Sequence, residues 1–385
     1  MTGNHCSQPR FTKRLHLSDN QRWLMTRTNY FPQLDSVRGL SFLAIFFFHA
    51  VHPERGESVL AKLFLYYYDQ LPLAIDVFFI LSSFLLTWLG VKEFQKQQRV
   101  SLGKFFQRRI LRIWPLYFLL LTISFLLLAP VAARAGHPMS MPDPFYYYFF
   151  IANFYKAEQV FFLQILWTIS VEEQFYIFLG LVMRFFFRYL RVIFVVLTIV
   201  SLGFSIYCHR SGISHYFHTL TYCVDFAMGG LAALLYTGRS SLITWTERLR
   251  GGRLKVFYLW PLIQLTVFFF IQLKVETDLL NLLNRFLFIT YLCLLLIEQL
   301  GNENRTGILQ RNRFLILTGR ISFGLYCFHG ISITAFEQFI VHSGTVISPL
   351  LVVPVIFAFN FSVAYLSFRY LETPFLRLKD RLRVI

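Results

Sequence analysis

Apolar residues in this chain gather into long runs rather than into the one-sided stripe of a soluble amphipathic helix. Ten runs stand out, at 37–53, 71–91, 113–130, 165–183, 192–208, 219–236, 256–273, 281–299, 321–341 and 349–368. Each has about the 17 to 25 residues that carry a helix across a bilayer. The pattern predicts an all-α fold: a polytopic transmembrane helix bundle of about ten spans. One further apolar stretch, Phe145 to Tyr155, is too short to cross and is crowded with aromatic residues favoured at headgroup depth. It reads as an interfacial or re-entrant segment on the outer side, and Gly136, Pro138, Pro142 and Pro144 mark the loop leading into it as irregular. No stretch suits a separate soluble domain. The organisation is read as a cytoplasmic N-terminal segment 1–36, a membrane domain 37–371 and a basic cytoplasmic tail 372–385.

Composition agrees: 56% of residues are hydrophobic and 15% charged, against roughly 25% charged in a soluble domain. A net charge of +17 would suggest nucleic acid in a soluble protein, but here the Lys and Arg residues fall in alternate loops. Residues 1–36, 92–112, 184–191, 237–255, 300–320 and the C-terminus hold most of them. The positive-inside rule assigns that side to the cytoplasm, so both termini are expected there, in a multi-pass plasma membrane protein. Nucleic acid is not an expected partner; membrane lipids are. The first 36 residues lack an apolar core and do not read as a removable signal peptide. Cys6, Cys208, Cys223, Cys293 and Cys327 form no C-x-x-C pair, so neither a zinc site nor a disulfide framework is expected. A single bond between Cys208 and Cys223 stays open. No internal repeat of the kind found in many transporters is visible.

Ionisable groups inside a bilayer are costly and mark function more often than elsewhere. In the first span, LDSVRGLSFLAIFFFH places Asp35, Arg38 and His49 on nearly one helix face, with Arg38 near the inner boundary and His49 roughly 16 Å further along the axis. Asp35 is placed to orient the guanidinium. The plainer alternative is a snorkelling Arg and a hydrogen-bonded core His. In FFQRRILRIWPLY, Arg108, Arg109 and Arg112 converge, an anion site suited to a nucleotide-like donor arriving from the cytoplasm. Inner-boundary basic residues also satisfy lipid headgroups. In LWTISVEEQFYIFLG, Ser170 and Glu173 have capping-box spacing. Equally, Glu172 and Glu173 beside Trp167, Gln174 and Tyr176 suit a polyhydroxylated acceptor at the outer lip. Asp76 and His329 each read alone as structural hydrogen bonders; together with His49 and Arg38 they make a set of ionisable groups in one bundle.

These segments, with IDVFFILSSFLLT, GRISFGLYCFHG and RYLETPF, follow in the order of the integral-membrane acyltransferase-3 family, typified by bacterial O-antigen O-acetylases, and the chain resembles that family over most of its length. One departure is Ser82-Ser83, where Ser-Gly is common. The fused extracytoplasmic hydrolase-like domain of longer members is not seen. The resemblance implies transfer of an acyl group, usually acetyl from cytoplasmic acetyl-CoA, to a hydroxyl of a carbohydrate or glycolipid, such as lipopolysaccharide, at the opposite face of the bacterial inner membrane. The expected catalytic set is His49, Arg38, Asp35, Glu173, Asp76 and His329, with His49 as general base or transient acyl carrier. Arg108, Arg109, Arg112 and Tyr117 are expected to bind the acyl-CoA, and Glu172, Trp167 and Tyr176 the acceptor, without metal. A transporter or flippase that does no chemistry is the competing class.

Overall fold

The computed structural model describes residues 31–155, 157–275, 277–301, 308–343 and 348–381. Residues 1–30 of the N-terminal segment, with Cys6, and residues 382–385 of the tail lie outside the described residues. A backbone in lipid must satisfy its own polar groups, and these apolar runs do so as helices. Among the described residues ten long helices follow in order: α1 (Pro32–Ala50), α2 (Ala74–Gln97), α3 (Leu102–Ile123), α4 (Trp167–Phe185), α5 (Leu190–Arg210), α6 (Thr219–Thr237), α7 (Gly251–Gln272), α8 (Asp278–Gly301), α9 (Ser322–Ser343) and α10 (Pro349–Ser367). Each covers one of the runs above, and no strand occurs among the described residues.

By length and apolarity eight helices of the described residues qualify as spans, and nine if the short helix Arg313–Arg320 and the helix following it, bent 77° apart, count together. Eight or nine agrees with the expectation of about ten. The helix not counted is α1, whose first half carries Gln33, Asp35, Ser36, Arg38 and Ser41. Those groups turn inward. Gln33 donates to the Gln299 carbonyl at 3.2 Å, Ser36 to the Leu309 carbonyl, and Ser41 back to the Val37 carbonyl at 2.9 Å.

The helix α2 runs through the centre, packed on α6, α1 and α8. Small residues permit this closeness, as in other membrane bundles. A Cβ on Gly229 would collide with the Ile80 backbone, and one on Gly319 with the Asp35 backbone. The periphery is formed by α3, α5, α7 and α10, which leave Leu119, Ile199, Val256 and Leu350 exposed along their outer faces. Beyond α3 the chain passes through a π turn, Ser124–Leu128, and a second π turn, Phe368–Glu372, follows α10.

Residues 144–155 fold as a short helix, Pro144–Tyr148, and a 3-10 turn, Ala152–Phe154. They press into the bundle rather than lying on it. The Phe150 ring stacks on Tyr117 at 4.8 Å and on Trp114 at 5.8 Å. Gln174 Nε2 donates to the Phe150 carbonyl and to Asn153 Oδ1, both at 2.8 Å. Phe150 itself adopts φ 55°, a left-handed conformation that side chains rarely take and that these contacts hold in place. The segment is thus packed against Trp114 and Tyr117 of α3 and Gln174 of α4. The described cysteines, Cys208, Cys223, Cys293 and Cys327, are buried free thiols.

Candidate active site

A cavity of about 410 Å³ extends along the bundle between α1, α2, α3, α4 and α9. The helix α2 lines it from Ile75 to Glu93, which at 1.5 Å per residue is a length of roughly 27 Å. One end is basic. Arg38, Arg108, Arg109 and Arg112 all face the space, as do Arg320 and Lys379. The convergence expected of the α3 arginines is thus formed.

The carboxylates at this end decide which guanidinia are free. Glu93 takes Arg108 at 3.3 Å and the Ser101 backbone N–H at 2.7 Å. Asp35 stands 3.9 Å from Arg38 and 3.8 Å from Arg320, close enough for charge attraction but too far for a hydrogen bond to either. Arg109 is different: its Nε is buried without a hydrogen-bond partner, and its guanidinium lies 6.0 Å from the Tyr176 ring. A buried cationic donor left open in a cavity is a site built for an anionic acceptor.

Glu172 and Tyr176 belong to this cavity, not to an outer lip. Ser82 Oγ donates to Glu172 Oε1 at 2.7 Å and Tyr176 OH donates to Ser82 Oγ at 3.2 Å. The serine at the position where the family commonly reaches Ser-Gly thus ties α2 to α4, and the following Ser83 donates to the Phe226 carbonyl at 2.5 Å. Trp167 is apart from them, packed against Tyr216, Phe217 and Tyr222. Glu173 points away too, accepting from Trp114 Nε1 at 3.5 Å, with Oε1 buried and unpartnered. The capping box is not formed: α4 has no side-chain cap, and Ser170 instead accepts from the Ala152 backbone N–H at 3.3 Å. Tyr117 does not reach the cavity; its hydroxyl donates to the Tyr147 carbonyl at 2.9 Å and so ties the 144–155 segment to α3.

His49 and His329 lie beyond the far end of the cavity and meet each other. Their rings stack with centroids 5.2 Å apart, and His49 Nδ1 is 3.1 Å from His329 Nε2. His329 Nδ1 lies 2.6 Å from the Tyr326 carbonyl, which can only accept, so that nitrogen carries the proton. His329 Nε2 is then an acceptor, His49 Nδ1 is the donor to it, and His49 Nε2 keeps a free lone pair. His329 is fully buried, while His49 is partly exposed.

Asp76 is brought to neither site. Arg285 of α8 grips it with Nε at 3.0 Å and Nη2 at 3.2 Å, and reaches Asp225 of α6 at 2.5 Å and the Thr221 carbonyl at 3.2 Å. Arg285 and Asp225 were overlooked at the level of sequence although both sit inside apolar runs, where the rule that singled out Asp76 applies equally. Ser82, which the sequence marks only as a departure from the family pattern, and Tyr326 and Glu372, which it does not mark as site residues, also line the cavity. Each lies in a segment quoted for the family resemblance, and Tyr326 is one helical turn from His329.

The profile of a family described as an acyltransferase domain matches residues 31–369. Among curated proteins, a provisionally named O-acetyltransferase of Staphylococcus aureus strain COL is 27% identical over 376 residues, covering 91% of this chain and 58% of the relative. O-acetyltransferase OatA of Staphylococcus aureus strain NCTC 8325 / PS 47 is 26% identical over 202 residues, 48% of this chain and 31% of the relative. The chain thus spans 58% of the length of the relative it matches most fully of these two. No solved structure matches it. With the profile running from the start of α1 to the turn after α10, through both the basic cavity and the histidine pair, the chain belongs to this acyltransferase family.

Proposed function

We propose that the protein is a membrane O-acyltransferase that moves an acetyl group from acetyl-CoA, entering the basic cavity from the cytoplasm, to a hydroxyl of a carbohydrate or glycolipid at the outer face of a bacterial plasma membrane. The observation that carries the reading is the fixed proton order of the histidine pair beyond a long cavity whose opposite end is cationic. The O-acetyltransferase names of the relatives support the reaction class. The distribution of Lys and Arg supports the orientation, with both termini, the segment 1–36 and the tail 372–385 on the cytoplasmic side.

The residues present fit such a donor. Arg109, with its open Nε, Arg112 and Arg38 hold the phosphates, and the narrow length along α2 accommodates an extended arm carrying the thioester. Arg38 lines the basic end, so its role is to bind the donor, not to stabilise charge beside His49. At the far end His49 Nε2 removes the proton of the acceptor hydroxyl as its oxygen attacks the thioester carbonyl. The new C–O bond forms, the C–S bond breaks, and the proton passes from His49 to the departing thiolate. Glu173 and Asp76 hold structure in this scheme, and His329 positions His49.

The test is release of coenzyme A thiol from acetyl-CoA by the full chain in nanodiscs, alone and with a polysaccharide extract as acceptor. Acceptor-stimulated release that vanishes in His49→Ala, with acetyl-CoA still bound, is the expected result. Undiminished release by that variant would remove His49 from the mechanism.

A further inference from the structure

Neither His49 nor His329 is among the residues that line the cavity. On α9 the residues facing the cavity are Ser322, Phe323 and Tyr326, and the next residue on that face, one turn outward, is His329, which does not line it. Tyr326 is the boundary. Its ring lies 5.2 Å from the His329 ring and 6.4 Å from Phe78, which also faces the cavity. Its hydroxyl is fastened to α4 and the turn before it, donating to the Ile165 carbonyl at 2.8 Å and accepting from Thr168 Oγ1 at 2.9 Å.

We propose that the Tyr326 ring is the partition between the donor cavity and the histidines, held shut by Thr168 and Ile165, and that it must swing aside for a thioester to reach His49. The proposal rests on the donor reading above. Its consequence is coupling. While the ring is closed, a thioester in the cavity is screened from His49 and from water entering at the exposed edge of that histidine. With the ring removed, His49 Nε2 can take a proton from water as the water oxygen attacks the carbonyl; the C–S bond breaks and the proton goes to the thiolate, giving free acetate.

Two features make the partition separable from the orientation of the histidines. The group that sets the His329 tautomer is the backbone carbonyl of Tyr326, which an alanine retains. The fastening is made by the hydroxyl alone, which a phenylalanine lacks. In nanodiscs with acetyl-CoA and no acceptor, Tyr326→Ala is expected to release coenzyme A thiol about tenfold faster than wild type. Tyr326→Phe and Thr168→Val should show a smaller rise, about threefold. The rise should disappear when His49→Ala is added, while every variant still binds acetyl-CoA, measured on the same samples. Wild-type protein that binds no acetyl-CoA would end the donor reading and this proposal with it. Wild type that binds the donor, beside a Tyr326→Ala variant that binds it and hydrolyses it no faster, would overturn the partition alone. Should the alanine variant not fold, Thr168→Val and Tyr326→Phe decide by the same readout.

Discussion

A neutral imidazole is a base at one nitrogen only, and the hydrogen bond at the other nitrogen selects which. In this protein the selection comes from His329, whose own proton is committed to the Tyr326 carbonyl. Replacing His329 by Ala releases His49 from that order, and kcat should fall about a hundredfold, within the range of general-base contributions, with the KM for acetyl-CoA unmoved. A Gln at 329 offers a carbonyl oxygen to His49 Nδ1 and should restore part of the rate. An equal loss in both variants would make His329 merely structural. At the cavity's other end, Arg109→Ala removes a charged donor; a charge-assisted hydrogen bond contributes about 1.5–3 kcal/mol, so the Kd for coenzyme A should rise tenfold or more. An unchanged Kd in a binding titration would place the phosphates elsewhere. His49 and Arg38 stand out in the sequence because an ionisable group in an apolar run is rare, and the α3 arginines because three of them converge at the edge of one. Tyr326 and Ser82 do not, since a Tyr or Ser in a span is unremarkable until its neighbours are known.

At the scale of elements, every apolar run became a helix, because hydrogen-bond satisfaction in lipid leaves little choice. What periodicity does not carry is where a short segment goes once it leaves the bilayer surface. Phe145 to Tyr155 could lie flat or dip inward, and the deciding contacts come from distant residues: Gln174 on α4 and Tyr117 on α3. Tyr117→Phe deletes the hydrogen bond to the Tyr147 carbonyl, a loss of about 1 kcal/mol. The 144–155 segment, not the basic cavity, should loosen. Faster protease cleavage within 136–160 at constant coenzyme A affinity is the expected pair of results. Weakened coenzyme A binding without faster cleavage would return Tyr117 to the donor site. Helix contacts follow the same logic. The crossing of α2 and α6 is set by Gly229 against the Ile80 backbone, a contact no sequence window reveals. A Leu there has no room and should lower the thermal midpoint in detergent by several degrees; an unchanged midpoint would show that the crossing can slide.

Across the whole molecule, the α2, α6 and α8 helices are fastened together by one guanidinium between two carboxylates. Arg285 donates to both Asp76 and Asp225, and Tyr222 lies against it with its ring 5.0 Å away. All of these side chains are largely or wholly withdrawn from solvent, and Asp225 Oδ1 has no hydrogen-bond partner. Two carboxyl groups share one guanidinium, and Arg285 holds Asp76 through two of its nitrogens but Asp225 through one, so the members are unequal. Removing the shared cation strands two buried carboxylates; breaking a buried pair by loss of one partner costs about 3–5 kcal/mol. Removing the charge of Asp225 alone, by Asn, leaves Arg285 paired with Asp76 in a balanced contact and should cost far less. Arg285→Met is therefore expected to abolish or sharply reduce folded protein in fluorescence size-exclusion traces, while Asp225→Asn runs close to wild type. The double variant Arg285→Met with Asp225→Asn should recover part of the loss, since only Asp76 is then unpaired. If Asp225→Asn proved as damaging as Arg285→Met, with coenzyme A release abolished in the protein that does fold, the triad would belong to the reaction rather than to the scaffold. The sequence reading of Asp76 as part of the catalytic set would then be restored.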